Sequence, residues 1–147
     1  MKSIFDAAAY EEVVARINNL NEETKGHWGK MSAAQMLWHC QVPVRNAIEN
    51  KNTGRKGNLL IRLFLRKWLY NDKPWRKNMP TAAIARAQDE KDFAREKEIL
   101  LGMLAELYEL RNRKNWNAHP IFGSFTPEQW GQMQYKHLDH HLTQFGV

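Results

Sequence analysis

The stretch that decides the fold lies near the C-terminus and reads TPEQWGQMQYKHLDHHLTQFG from Thr126 to Gly146. Thr126 is followed three residues later by Gln129, which is the spacing of a capping box at the start of a helix. Pro127 would occupy the first helical position, where a missing N–H costs nothing. We therefore predict a helix, the fourth in the chain, from Thr126 to near Gly146.

Three of the six histidines of the protein lie within residues 137–141. In a helix, His137 and His141 project from the same face, one turn apart, so both imidazoles can point at one ion. Both fall inside the apolar arc of the predicted helix, where an imidazole needs partners for its nitrogens. The spacing predicts half of a metal site. Two alternatives stay open: His140 could replace His141, or the pair could be hydrogen-bonded core residues.

A second predicted helix supplies the candidate third ligand, His39. This helix opens with Ser32 and Gln35, which again have capping-box spacing. His39 lies at the edge of its apolar stripe. Pro43 cannot donate a hydrogen bond to the carbonyl of His39, so we expect a kink or a free carbonyl there. The stripe consists of Ala33, Met36, Leu37, Cys40, Val44, Ala47 and Ile48.

The remaining helices complete an all-α fold. Helical spacing predicts a first helix from Asp6 to about Leu20 and a third from about Asp89 to Arg111. The crossover between the second and third helices contains a further short amphipathic segment, Asn58–Tyr70. The prediction is an up-down four-helix bundle with an extra short helix in this crossover. The length of 147 residues indicates one domain, residues 1–147.

Charge and cysteine content restrict the function classes. The net charge is +6, but nine Lys or Arg and one acid, Asp72, lie between Lys51 and Pro80. A local excess of this kind is not a nucleic-acid-binding composition. The single cysteine, Cys40, rules out an internal disulfide and favours a reducing compartment. We find no signal peptide and no apolar run long enough for a membrane span, so we expect a cytoplasmic protein.

Three neutral histidines suit a divalent ion such as zinc, nickel or iron. Three protein ligands also leave coordination positions open for water or substrate, which is the arrangement of catalytic sites. Other candidates are weaker. We expect His119 to be a turn residue or to lie at the pocket mouth, His27 to be on the surface, Cys40 to be a buried structural thiol and Gln144 to lie near the histidine face.

Several motifs, spread over almost the whole chain, also carry a family resemblance. They are WGKMS (28–32) with QMLWH (35–39), NMPT (78–81), HPIFG (119–123), and WG (130–131) with YKHLDHHLTQFG (135–146). With these motifs the chain resembles the DinB-like (YfiT-like) metalloenzymes, in one of their uncharacterised bacterial subfamilies. The resemblance implies a four-helix bundle that holds a metal through one histidine of the second helix and two of the last. Matched residue by residue, these are His39, His137 and His141.

The resemblance implies an activity class without determining the reaction. Known relatives include transferases and isomerases that depend on low-molecular-weight thiols, and other members have lost ligands or have no assigned activity. Our first hypothesis is a metal-dependent transferase or hydrolase in which a thiol or water attacks a small electrophile. A basic rim of Arg62, Arg66 or Arg76 could attract an anionic substrate.

The second hypothesis is a non-catalytic binding or dimerisation bundle with a vestigial or structural metal site. In that case Trp68 and its apolar neighbours would dock a partner subunit, and a homodimer is the partner to consider. A small-molecule substrate is expected under the first hypothesis, and neither nucleic acid nor a membrane is expected as a partner. The catalytic residues are unknown at this point.

Overall fold

The computed structural model describes residues 1–51, 66–81, 83–119 and 122–147. Within these ranges the regular structure consists of four α-helices and three short 3-10 segments, with no β-strand. We label the helices α1 (Ala7–Asn18), α2 (Ala33–Glu49), α3 (Phe93–Glu109) and α4 (Pro127–Gln144). The predicted all-helical fold class is confirmed. None of these helices is long and apolar enough to cross a membrane.

Both predicted capping boxes are confirmed. At the start of α2, Gln35 N donates to Ser32 Oγ at 3.2 Å, and Ser32 N donates to Gln35 Oε1 at 3.1 Å. At the start of α4 the same exchange joins Thr126 and Gln129, and Pro127 is the first helical residue. Because each box satisfies two backbone N–H groups locally, it begins the helix at a defined residue. The two helices that carry the candidate ligands therefore have well-defined starts.

The other helix boundaries differ from the predictions by a few residues. The third helix does not begin near Asp89; α3 begins at Phe93, because the side chain of Asp92 accepts a hydrogen bond from Arg95 N at 2.7 Å and caps it. At its other end α3 passes into a 3-10 segment, Leu110–Asn112, which extends the helical stretch to about its predicted length. α2 is continuous through Pro43, so the proline does not end the helix.

The four helices share one apolar core. α2 packs against α3 and α4, and α1 packs against the same two helices. The apolar stripes read from the sequence face this core, and Cys40 is buried in it as a free thiol. The buried apolar residues include Val13, Ile17, Met36, Leu37, Val44, Leu100, Leu104, Leu107, Met133, Leu138 and Leu142. The arrangement is that of a helical bundle, and its up-down order stays a prediction.

The crossover between α2 and α3 brings a short segment against α4. Most of the short helix predicted over Asn58–Tyr70 lies outside the described residues, and its end, Arg66–Tyr70, is a 3-10 helix. Leu69 is buried there. Lys136 Nζ, on α4, donates to the backbone oxygens of Trp68 and Asn71, the latter at 2.8 Å. This attachment holds the residues that follow, including Trp75, beside the histidines of α4.

Candidate metal centre

α2 and α4 bring three histidines together at one side of the core: His39, His137 and His141. We call them the histidine triad. Their candidate ligand nitrogens all lie within 4.8 Å of one another. His39 and His141 are buried, and His137 is partly exposed. The three residues predicted to form the metal site from spacing and from the resemblance are therefore neighbours in the structure.

Two triad members, His39 and His141, are held by hydrogen bonds to Nδ1. His39 Nδ1 lies 2.8 Å from the carbonyl oxygen of Ala85, and His141 Nδ1 lies 2.8 Å from Oε1 of Gln144. Both partners only accept hydrogen bonds, so each Nδ1 must carry the proton. The Nε2 atoms of both rings are then unprotonated, as a metal ligand requires.

His137 differs from the other two in its hydrogen bonding. Its Nε2 lies 3.0 Å from Nε2 of His39, and its Nδ1 is buried with no hydrogen-bond partner among the described residues. Nitrogen ligands at about 2.0–2.1 Å from a tetrahedral metal are separated by slightly more than this contact. The two Nε2 atoms therefore need to move only slightly to share one ion.

Burial keeps the triad uncharged. It lowers the pKa of His141 to about 3, with His39 adding to the effect. It also lowers the pKa of His39, although the hydrogen bond to Ala85 opposes this. Burial, followed by nearness to His141 and His39, places the pKa of His137 well below its ordinary value. The neutral imidazole is the form that coordinates metals, so the triad is ready to bind one at neutral pH.

Gln144 connects the triad to the loop before α2. Its Nε2 donates to the backbone oxygen of Trp28 at 2.6 Å, while its backbone oxygen accepts from His27 N at 2.7 Å. Gly29, with φ of +82°, passes so close that a Cβ there would lie 2.6 Å from Gln144 Nε2. The loop can pack against Gln144 only with glycine at this position. Gln144 is thus fixed from both sides, and with it the ring of His141.

The remaining histidines lie outside the triad. His140 is partly exposed, and its ring lies between those of Trp28 and Trp75, at 5.8 and 5.7 Å from their centres. His27 is exposed, as predicted. His119 exchanges backbone hydrogen bonds with Gly123, is buried at 7 % exposure, and lines the same cavity as the triad.

The triad opens into a cavity of about 830 Å³. Its described lining includes Trp75, Phe122 and Met133 as apolar walls, with Lys30 and Arg86 as exposed basic residues. No Asp or Glu occurs among the described lining residues. Of the residues considered for a basic rim, Arg76 is exposed and is not among the described residues that line the cavity, which is the position of a solvated residue. Arg62 and the side chain of Arg66 lie outside the described residues.

Sequence reasoning missed three parts of this site. The carbonyl of Ala85 lies 46 residues from His39 along the chain, and a backbone oxygen leaves no mark in a sequence. Trp75, whose ring centre lies 5.7 Å from that of His137, falls in a proline-containing loop without periodicity. Gln134 lines the cavity beside the triad. It could have been proposed from the sequence, because it stands three residues before His137 on the same helix face.

The donor set fits a divalent transition metal. Two of the three rings are hydrogen-bonded through Nδ1 in the manner typical of histidine ligands, and all three are neutral. Imidazole nitrogens suit zinc, nickel and iron. Three protein ligands would leave coordination positions facing the cavity, where a second molecule can enter.

Comparison with known proteins identifies the family and no individual relative. Neither the curated proteins nor the solved structures give a match. A family model does match, and it covers residues 2–146, nearly the whole chain. The protein with this histidine triad therefore belongs to the family described as "Protein of unknown function (DUF1569)".

Proposed function

We propose that the protein is a divalent-metal-dependent enzyme whose ion is held by His39, His137 and His141. The observation that carries the proposal is the pair of Nδ1 hydrogen bonds, to the carbonyl of Ala85 and to Gln144, which leave Nε2 of two clustered rings free for one ion. The burial of these neutral rings at the end of a cavity supports the same conclusion. Zinc, nickel and iron are the candidate metals.

The reaction class we propose is transfer to, or hydrolysis of, a small electrophile by a thiol or water. A divalent ion supplies Lewis-acid chemistry, which lowers the pKa of the nucleophile and makes it reactive at neutral pH. The apolar walls formed by Trp75, Phe122 and Met133 would hold the carbon skeleton of the substrate and exclude bulk water. The resemblance to the DinB-like metalloenzymes supports a low-molecular-weight thiol as the nucleophile.

The charges around the cavity support an anionic substrate or thiol. Lys30 and Arg86 are the basic groups of its described lining, and a bound ion would add two positive charges. No carboxylate of the described lining opposes them. Arg86 is oriented by a hydrogen bond from its Nε to the carbonyl of Thr81, at 2.9 Å. A carboxylate on the ligand would interact favourably with its guanidinium.

Metal content of untagged protein is the first test. We expect about one ion per chain in the wild type, and loss of most of it when His39, His137 or His141 is replaced by Ala. His140→Ala is the matched control, because this histidine is adjacent in sequence but lies outside the triad. Circular dichroism of each variant in chelator checks that the fold is retained.

The outcomes separate the hypotheses. If His140→Ala strips the ion and His141→Ala keeps it, the ligand assignment is wrong. If the wild type binds no zinc, nickel or iron, the enzyme proposal fails and the binding or dimerisation bundle replaces it. If metal binds, incubation with small electrophiles, with and without added thiols, should give a thiol adduct or a hydrolysed product whose formation stops when the metal is removed.

A further inference from the structure

Three buried side-chain atoms of α4 have no hydrogen-bond partner among the described residues: Nε1 of Trp130, Oε1 of Gln134 and Nδ1 of His137. The last two belong to side chains that stand three positions apart. Gln134 is completely buried, at 0 % exposure, and lines the cavity of the triad. Residues three positions apart on a helix are neighbours on its surface. An unpaired nitrogen and an unpaired oxygen thus belong to adjacent side chains beside the candidate metal centre.

The free end of Gln134 must be its oxygen. The other end of the amide faces the carbonyl oxygen of Pro43 at 2.9 Å. Because a carbonyl oxygen only accepts hydrogen bonds, the group facing it has to be the NH₂ group. Oε1 is therefore the atom without a partner, and it can only accept.

Nδ1 of His137 and Oε1 of Gln134 are not in hydrogen-bonding geometry in this state, and the hydrogen bonds of the triad also leave His137 no proton on Nδ1 to offer. The Nδ1 proton of His39 is used by Ala85, so Nε2 of His39 is an acceptor. The 3.0 Å contact between the two Nε2 atoms then requires a proton on Nε2 of His137. This leaves Nδ1 of His137 as an acceptor. Two acceptors, Nδ1 and Oε1, cannot form a hydrogen bond.

We propose that Gln134 is a positioning residue that favours the metal-binding tautomer of His137. When Nε2 of His137 coordinates an ion, its ring proton resides on Nδ1, with no change in the charge of the ring. Nδ1–H is then a buried donor that needs a partner, and rotation of the neighbouring Gln134 side chain would bring its unpaired Oε1 to this proton. All three ligands would then be held in the same way, through Ala85, Gln144 and Gln134. The inference rests on the proposed metal site.

Two substitutions at position 134 separate this role from the contact with Pro43. Gln134→Met removes both hydrogen bonds, whereas Gln134→Glu keeps an acceptor for His137 but loses the donor to Pro43. Zinc affinity is measured by competition with a chromophoric chelator. We expect Gln134→Met to weaken zinc binding about 10–100-fold, the usual effect of removing a hydrogen-bond partner of a ligand histidine. Gln134→Glu should bind zinc at least as tightly as the wild type.

A matched control and a second readout complete the test. Gln132→Met changes a glutamine of the same helix that instead contacts Glu128, and it should leave zinc affinity unchanged. Nitrogen NMR of the zinc-bound protein should show a His137 Nδ1–H protected from exchange in the wild type and in Gln134→Glu, and exposed to exchange in Gln134→Met.

The possible failures are distinguishable. If the wild type binds zinc and Gln134→Met binds it equally well, Gln134 has no positioning role, although the metal site stands. If both variants lose affinity equally, the contact with Pro43 is what matters and the inference is wrong. If the wild type binds no zinc, nickel or iron, this inference and the proposed function fall together.

Discussion

At the residue scale, the clearest electrostatic feature outside the triad is His119. Its ring is buried against Phe122, Phe125 and Trp130, and its Nδ1 accepts a hydrogen bond from Phe122 N at 3.3 Å. Burial lowers the pKa of His119 to about 4. The ordinary pKa of histidine is about 6.5, so the unfolded chain binds this proton more readily than the folded one. The free energy of unfolding should therefore decrease as pH falls from about 6.5 towards 4.

His119→Asn tests this dependence, because Asn has an oxygen that can replace Nδ1 as acceptor but does not titrate. Urea unfolding in chelator at pH 7, 5 and 4 should show a shallower loss of unfolding free energy in the variant than in the wild type. Between about pH 6.5 and 4, the unfolding free energy of the wild type should fall more steeply with pH than that of the variant. The difference between the two slopes should approach, and not exceed, about 1.4 kcal/mol per pH unit. Equal slopes would show that the charged ring is accommodated when folded.

The residues of the triad were predictable to different degrees. The spacing of His137 and His141 is a local pattern, and a helix converts it directly into a shared face. His39 could be proposed only as a third candidate from spacing, since no local rule says which helices meet. The partner of its ring, the carbonyl of Ala85, was not predictable, because backbone oxygens are available throughout a sequence. Local rules thus found candidate ligands but not the groups that orient them.

At the element scale, Lys136 joins α4 to the segment Arg66–Tyr70 and to the residue that follows it. The ammonium group of Lys136 donates to Trp68 O, Asn71 O and Asn71 Oδ1, and burial lowers its pKa to about 8, against a partial opposing effect of Asp72. These contacts join α4 to the crossover about 65–68 residues away along the chain. Trp75 follows this segment and lies over His137.

Lys136→Met should loosen the segment while preserving the bundle. Hydrogen bonds from a charged donor contribute about 1.5–3 kcal/mol, and we expect a loss of unfolding free energy of that order. Amide exchange in residues 67–75 should rise much more than in α2 or α3. Lys67→Met, at an exposed lysine of the same segment, is the control and should change neither quantity. Unchanged exchange in the Lys136 variant would mean that packing of Leu69 and Trp75 holds the segment without the lysine.

Helix starts were predictable where the capping residues are local, and the start of α3 shows the limit of that rule. The capping boxes at Ser32 and Thr126 are complete within four residues, so the sequence alone locates them. Before α3 stand two aspartates, Asp89 and Asp92, and either could cap a helix. Asp92 caps it, while the backbone oxygen of Asp89 accepts from Gln35 Nε2 at 3.2 Å. The carboxylate of Asp89 instead pairs with Lys91, and helix periodicity does not distinguish the two aspartates.

At the scale of the whole molecule, the triad joins elements far apart in the chain. The Nε2 atoms of His39 and His137 meet across 98 residues. The all-helical class was predictable because every helix carries its own apolar stripe. The contact between His39 on α2 and His137 on α4 depends instead on packing of the complete core. In the sequence, only the resemblance to a known family indicated that these two helices meet. A metal at this position would crosslink α2 to α4.

Metal binding should therefore stabilise the whole fold. An ion that binds only the folded protein adds about 2.7 kcal/mol when its free concentration is 100 times its dissociation constant. For a chain of this length, that corresponds to a rise in Tm of about 5–10 °C. Chelator should remove this increment from the wild type and from His140→Ala, and should change little in His39→Ala, His137→Ala or His141→Ala. The measurement is thermal unfolding with and without chelator at pH 7.

Acidification of the zinc-loaded protein should lower its Tm as chelator does, because protons compete with the metal for imidazole nitrogens. A wild type that contains metal but melts at the same temperature with and without chelator would place the ion outside the junction of α2 and α4.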